Sequence, residues 1–349
     1  MIKQVVRGMT GPTLLALVVA GCGAPPAEPS ASSPPATSGA AQAKGFPVTV
    51  ENCGRTLTFT KPPERVVTGY HPVFETMVDL GLGDRIIARL NFDENGPDGF
   101  LPGHKKVYDA IPEISTTIQL PQKEVLIAQQ PDFVIDVSYS SFDAAKGLAT
   151  IQELDSAGAP VYITAGWCDP EGVKQAKIAD IFADIRNLGM IFGVPERAAA
   201  LTAEFQGIID DVTKRVKGRA PVDVLATDGG SGPVNAYGGS GLFHQMIEIA
   251  GGRNVLADLD EDYAEVSVEK IAASKPGAML VVDYDVLLGE QQPSAPEKAK
   301  TVFTIIPDSP AAQQQRFLPV PAAATHSGAG NIRAIPGIAE FLHPEAFAR

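Results

Sequence analysis

Residues 195–218 read PERAAALTAEFQGIIDDVTKRVKG, and this run decides the architecture. Pro195 suits the first turn of a helix, where the N–H it lacks would have no intrahelical partner anyway. Leu201, Phe205, Ile208, Val212 and Val216 then recur at helical spacing, and Gly218 ends the pattern. At 1.5 Å per residue such a helix is roughly 30 Å long, enough to carry the chain from one lobe to another as a rigid strut. Ile178, Ile181, Ile185 and Leu188 predict a second helix just before it, broken at Gly193-Val194-Pro195.

On both sides of the strut, short β-type runs alternate with helical stretches, the pattern of parallel α/β sheets. The expected strands are 65–68, 85–88, 133–137 and 161–164 before it, and 222–226, 253–256, 278–282 and 317–320 after it. Two such sets predict two α/β lobes, 46–194 and 219–349, joined by the backbone helix 195–218. A faint internal repeat supports this. Glu124 opens an amphipathic run, Pro131 follows seven residues later, and an apolar strand comes next; Glu269, Pro276 and the strand ending at Val282 repeat the order.

The N-terminal residues bear on the compartment. Lys3 and Arg7 precede the apolar stretch Leu14–Ala20, which is shorter than the roughly 20 residues needed to cross a bilayer core. It reads as a signal peptide, 1–21, ending in Val19-Ala20-Gly21-Cys22, a lipobox-like site that predicts acylation at Cys22. Ordinary cleavage beside an incidental cysteine is the alternative. Residues 22–45 are rich in Pro, Ala, Ser and Gly and read as a disordered tether, because they offer too little apolar surface to offset ordering. The expected location is the outer face of the cytoplasmic membrane, held by a lipid anchor. A net charge of −13 argues against a nucleic-acid partner. Cys53 and Cys168 then remain; in an oxidising compartment two leftover thiols pair, the alternative being two buried free thiols.

Several segments carry a resemblance: Pro63-Glu64-Arg65-Val66-Val67, Glu75 through Ile86, the two glutamate–proline repeats, Ile249 through Val255, and Phe341-Leu342-His343-Pro344-Glu345. With the Asn52-Cys53-Gly54 opening, they make the chain resemble the class III substrate-binding proteins of siderophore, haem and cobalamin importers, and most of all the iron(III)-dicitrate and siderophore-binding lipoproteins. The resemblance implies two Rossmann-like lobes joined by one long helix, and a monomer that delivers its ligand to an ABC importer permease dimer. It also implies that Glu124 and Glu269, one on each lobe, dock on permease arginines. A carboxylate in a helix first turn is stabilised there and stays available for a bidentate arginine. The alternative is that both only cap helices. Glu75 is a third docking candidate.

Given that fold, the ligand sits between the lobes, at loops following the C-terminal ends of the strands. Those loops supply Tyr70, His71, Tyr139, Phe142 and Trp167 from the first lobe, and Asn235, Tyr237, Tyr284, His326 and Arg333 from the second. Rings with a few polar anchors suit an iron chelate, and Arg333 or a histidine is the candidate for meeting a carboxylate or phenolate. Core packing is the alternative for each ring, and an acidic neighbour for Arg333. The expected cargo is an Fe(III)-siderophore or ferric citrate-like complex, with haem as the alternative if His71 and His326 meet across the cleft. No permanent cofactor, metal centre or catalytic residue is expected. The five histidines are scattered, and the patches Gly229–Gly232 and Gly238–Gly241 form neither a nucleophile elbow nor a phosphate loop. A non-transport adaptor of envelope complexes is the remaining alternative.

Overall fold

The computed structural model describes residues 45–91, 101–284, 286–287 and 290–348. The signal peptide, Cys22 and the tether up to residue 44 lie outside the described residues. The described chain opens with a hairpin, β1 (Val48–Asn52) and β2 (Arg55–Phe59), whose alternate residues Val50, Asn52, Leu57 and Phe59 are buried. Asn52 pairs with Arg55 across a two-residue turn. Its residues Cys53 and Gly54 both have positive φ, 52° and 67°, as the tight primed hairpin turns require. The Asn52 amide brackets the backbone of Ile163, donating to its carbonyl at 2.8 Å and accepting from its N–H at 2.9 Å. Arg55 donates to the Val161 carbonyl. The hairpin thus covers a sheet edge that would otherwise stand open. Its turn carries Cys53 to Cys168, and the two form a disulfide with Cα atoms 5.3 Å apart.

The edge belongs to the first lobe, a fully parallel five-stranded sheet of β3 (Val66–Thr68), β4 (Ile86–Leu90), β5 (Glu113–Ser115), β6 (Phe133–Asp136) and β7 (Val161–Ile163). Its strand order is β5-β4-β3-β6-β7, so the chain reverses direction around β3. Helices α1 (His71–Asp79), α2 (Pro102–Ala110), α3 (Lys123–Ala128), α4 (Ile151–Ser156), α5 (Pro170–Gln175) and α6 (Ile178–Ile191) complete the lobe. Strands β3, β6 and β7 are buried at every residue, the continuous apolar reading expected of a parallel sheet covered on both faces.

The strut is α7 (Pro195–Val216), with Pro195 in its first turn. Ala198, Leu201, Phe205 and Val212 are its buried stripe. Glu196 near its start and Lys214 and Arg215 near its end complement the helix dipole. It stops two residues before Gly218, which takes the left-handed conformation with φ 78°.

The second lobe is a mixed sheet built on β8 (Val222–Gly229), with β9 (Val234–Tyr237), β10 (Gly252–Asn254), β11 (Tyr263–Val266) and β12 (Ala278–Asp283). After the short pair β13 (Val286–Leu287) and β14 (Glu290–Gln291) comes β15 (Phe317–Pro321). The order is β11-β9-β8-β12-β15; β10 pairs in parallel with Val222–Val224, while β9 runs antiparallel beside the far end of the same strand. Helices α8 (Gly241–Ile249), α9 (Val268–Ser274), α10 (Ala295–Ile305), α11 (Pro310–Gln313), α12 (Ala329–Leu342) and α13 (Pro344–Phe347) surround it.

All eight expected strands are present, within a few residues of their expected bounds. Strands β1, β2, β5, β9, β11, β13 and β14 add to them. The patch Gly229–Gly232 is the turn of the β8–β9 hairpin: Gly229, Gly230 and Gly232 all have positive φ, which the reversal of direction demands.

The candidate ligand cleft

The cleft is made at strand ends. β3 delivers Gly69 and Tyr70, where Gly69 donates its N–H to the Ile135 carbonyl at 2.7 Å. A Cβ at Gly69 would overlap the Asp136 carboxylate, so this crossing needs glycine. Asp136 closes β6 and accepts from the Ser138 N–H and the Ser141 hydroxyl. Burial outweighs those bonds and raises its pKa to about 6. β7 runs into a short 3-10 turn in which Ala165 has φ 45°. Asp184 holds that turn, accepting the Ala165 N–H at 2.6 Å and the Tyr162 hydroxyl at 2.7 Å. Just beyond comes Trp167, adjacent to the disulfide.

From the second lobe, β15 leads through a 3-10 turn to His326, whose ring meets Tyr70 edge-on at 4.8 Å and Trp167 at 5.4 Å. Its Nδ1 lies 3.2 Å from the Ala322 carbonyl. Burial depresses its pKa and keeps the ring neutral. With Nδ1–H donating to that carbonyl, Nε2 is the lone-pair nitrogen. Behind the histidine, Tyr237 contacts Tyr263 with ring centroids 5.1 Å apart. Asp228 accepts from the Tyr284 hydroxyl (2.6 Å), the Tyr263 hydroxyl (3.2 Å) and Lys298 Nζ (2.9 Å). The ammonium also lies 3.6 Å from the centre of the Tyr284 ring, a cation–π contact.

Two adjoining cavities result. One, of about 300 Å³, is lined from the first lobe by Asp136, Ser138, Ser140 and Leu148 among others. The other, of about 320 Å³, is lined from the second lobe by Asp228, Tyr237, Asp262, Tyr263 and Tyr284 among others. Tyr70, Ile118, Trp167 and His326 belong to both. Each is at the lower end of the range for small-molecule sites, and like such sites they combine rings with a few convergent polar groups.

Of the ten residues proposed from the sequence, the structure brings five into the cavity walls: Tyr70, Trp167, Tyr237, Tyr284 and His326. The other five line neither cavity. Phe142 is packed in the core, and Tyr139, half-buried, donates its N–H to the Trp167 carbonyl. Asn235 lies on β9 paired with β11. His71 is fully buried on α1 with its ring 3.6 Å from Glu75, so it does not meet His326 across the cleft. Arg333 instead bonds Asp79 at 2.6 Å.

That pair belongs to a largely buried chain of charges between the lobes, with Arg333 at its half-buried end. Asp79 also bonds His104 at 2.9 Å, and His104 bonds Glu75 at 3.2 Å. Burial alone would discharge these groups. The bonds prevail, holding Glu75 at about 2 and lifting His104 to about 9. From α7, Arg197 donates to the Asp79 carbonyl. The network ties α1, α2, α7 and α12 together. Glu75 is therefore buried within it and is not exposed for docking, in contrast to the sequence expectation. Glu124 and Glu269 are exposed, each the second residue of its helix, on α3 and α9.

Asp136, Asp228, Asp262, Tyr263 and Ile118 line the cleft without having been singled out in the sequence. Asp136 and Asp228 close apolar strands and could have been found from that alone; Asp262 and Tyr263 sit at β11, which has no clear sequence signal. Among the described residues no group of three or more His, Cys, Asp or Glu could hold a metal ion, and no helix is long and apolar enough to cross a membrane.

Comparison with known proteins agrees with this geometry. The periplasmic binding protein family profile matches residues 66–317. A cobalamin-binding protein of Halobacterium salinarum is 28% identical over 276 residues, 77% of this chain and 68% of its own length. YvrC of Bacillus subtilis, an uncharacterised ABC transporter substrate-binding lipoprotein, is 21% identical over 96% of both chains. Among solved structures, an ABC-type Fe3+-hydroxamate transport system protein from Saccharomonospora viridis superposes with a TM-score of 0.68 at 27% identity, covering 87% of this chain and all of that one. With two α/β lobes, one long connecting helix and a match over most of its length, the chain belongs to the periplasmic binding protein family, a family of binding proteins rather than enzymes.

Proposed function

We propose that this protein is an envelope-anchored substrate-binding lipoprotein of an ABC importer, and that it captures a ferric siderophore. The observation that carries the reading is the ring-lined cleft, where Tyr70, Trp167 and His326 converge from both lobes with Tyr237 and Tyr284 behind them. Rings offer broad apolar contact to the organic shell of a chelate, and among the described residues no group of three or more His, Cys, Asp or Glu is placed to hold bare iron. The ferric-hydroxamate transport relative and the lipoprotein relative support the ligand class and the transport role. In this reading residues 1–21 are removed, Cys22 carries the lipid, 22–45 form the tether, and the lobes are 46–194 and 219–349 around the helix 195–218. The disulfide Cys53–Cys168 fits an oxidising envelope. Glu124 and Glu269 dock on the permease dimer, the equivalent helix position serving in each lobe.

A metal macrocycle, corrinoid or haem, is the second reading. It is favoured by the neutral His326 in the cleft and by the cobalamin-binding relative. Calorimetric titration of the full chain in detergent separates the two. The panel is a ferric tris-hydroxamate, a ferric tris-catecholate, ferric citrate, cobalamin and haem. Saturable sub-micromolar heat with a ferric chelate supports the proposal. Binding of a macrocycle alone replaces it with the second reading, and no heat from any member leaves the adaptor role.

A further inference from the structure

One side of the cleft has unspent chemistry. Asp262 lines the second-lobe cavity, and its carboxylate makes no hydrogen bond or ion pair among the described residues. Its backbone is fixed, since its carbonyl accepts the Gly238 N–H at 3.1 Å. A Cβ at Gly241 would overlap the carboxylate, so α8 starts with the one residue that leaves it room. Burial pushes its pKa up to about 7, which reflects a carboxylate short of compensating charge.

The cations nearby are already engaged. Lys298 is 5% exposed and bonds both Asp228 and the Val282 carbonyl. Arg333 serves Asp79. Among the described residues of the two walls the one basic side chain besides the neutral His326 is Lys146, which is exposed and lies 3.8 Å from Asp143. A separate observation points to a ligand at the same place. Among the described residues the Trp167 Nε1–H has no hydrogen-bond partner, although the residue is only 8% exposed and lines both cavities. A buried N–H left unbonded is costly until a carbonyl or similar acceptor arrives.

We infer that Asp262 selects the ligand by charge, receiving an ammonium or other hydrogen-bond donor of the chelate while the Trp167 N–H meets an amide-type carbonyl. This rests on the chelate reading above and narrows it: the cargo is a neutral or cationic, amide- or hydroxamate-bearing chelate. Carboxylate-rich and other polyanionic complexes, ferric citrate among them, are disfavoured. A ligand anion brought against Asp262 meets like charge in a desolvated site, with no free cation among the described residues of that wall to offset it. The overall charge of −13 acts in the same direction at longer range.

The test uses one ferric linear tris-hydroxamate in three forms: with its terminal ammonium free, N-acetylated to neutrality, and N-succinylated to an anion. Each is titrated calorimetrically into the full chain in detergent. The expected order is ammonium, then acetyl, then succinyl, with roughly tenfold in Kd at each step for a partly screened charge pair. Asp262→Asn should compress the ammonium-to-succinyl ratio to within about threefold. Asp262→Glu should preserve the order, which guards against a folding defect in the first variant. Glu340→Gln, the same charge change at an exposed position of α12, should leave the ratio intact. Equal binding of the three forms, tighter binding of the anion, or a ratio unchanged in Asp262→Asn overturns the inference while leaving the chelate reading standing. If none of the three binds but cobalamin or haem does, the chelate reading itself falls, and the inference with it.

Discussion

Replacing both Cys53 and Cys168 with serine tests how the cleft is held. The bridge spans 115 residues, from the turn of the first hairpin to the residue after Trp167. Loop-closure entropy for a chain of that length gives about 4.8 kcal/mol of stabilisation at 25 °C, and native disulfides generally deliver about 2–5 kcal/mol. At about 2–4 °C per kcal/mol for larger domains, the unfolding midpoint should fall by roughly 4–20 °C. The site should respond as well. Trp167 sits between the disulfide and a turn whose Ala165, at φ 45°, is kept in place by Asp184. Without the bridge the covalent restraint on this loop is lost, and ordering it on binding should weaken affinity about three- to tenfold. Differential scanning calorimetry and isothermal titration of the Cys53→Ser/Cys168→Ser protein read both effects. A midpoint shifted by less than about 3 °C, with affinity unchanged, would refute the reasoning. The hydrogen bonds of Asn52 and Arg55 to β7 would then be sufficient to pin the hairpin and the loop.

Glu124→Ala with Glu269→Ala should abolish ligand uptake in cells while leaving affinity in solution unchanged; a loss of affinity would place these groups in the site or the fold. Asp79→Asn removes the charge shared by His104 and Arg333, and should lower stability by about 3 kcal/mol in chemical denaturation, because buried His104 and half-buried Arg333 lose a counter-charge. A change under about 1 kcal/mol would mean the network is incidental. Stability should also depend on pH with a definite sign. His104 is raised to about 9, so its contribution is present below its ordinary value near 6.5 and is lost as pH rises through about 9. Asp136 and Asp184, raised to about 6 and about 7, act in the same direction, taking up protons in the folded state as pH falls toward 4. Glu75, held at about 2, contributes above its ordinary value and is lost as pH falls through about 2. The unfolding midpoint should therefore peak near pH 5 and decline toward pH 9; a peak above pH 8 would contradict these assignments.

The strut was legible because Leu201, Phe205 and Val212 obey one period over a 22-residue helix, with Pro195 and Gly218 marking its limits. The central strands were legible because parallel strands covered on both faces become unbroken apolar runs, as at 133–136 and 278–282. Strands β9 and β11 were not, because both are only four residues long, lie toward one edge of their sheet and are interrupted by a polar residue, Asn235 and Glu265. The cleft was half legible, for a related reason. Strand ends locate loops, and ring-bearing loops such as Tyr70, Trp167 and Tyr284 do reach the cavity. Which way a polar residue turns, however, depends on partners distant in sequence. Arg333 finds Asp79, 254 positions away, and His71 turns inward to Glu75. No local pattern encodes either choice. Asp228 and Asp262 likewise become wall residues only through the packing of β8, β11 and α10.

The central claim, that the ring-lined cleft between the lobes holds the ligand, has a direct optical test. Trp167 is the single tryptophan of the chain, so intrinsic emission reports from the wall of both cavities. Emission should be quenched saturably by the ligand identified calorimetrically, with the same midpoint in both methods and a free-tryptophan control for absorbance. Tyr70→Ala should shift both midpoints together by at least about tenfold. Calorimetric binding with Trp167 emission unchanged, or with affinity unaffected by Tyr70→Ala, would place the ligand elsewhere on the protein and contradict the account.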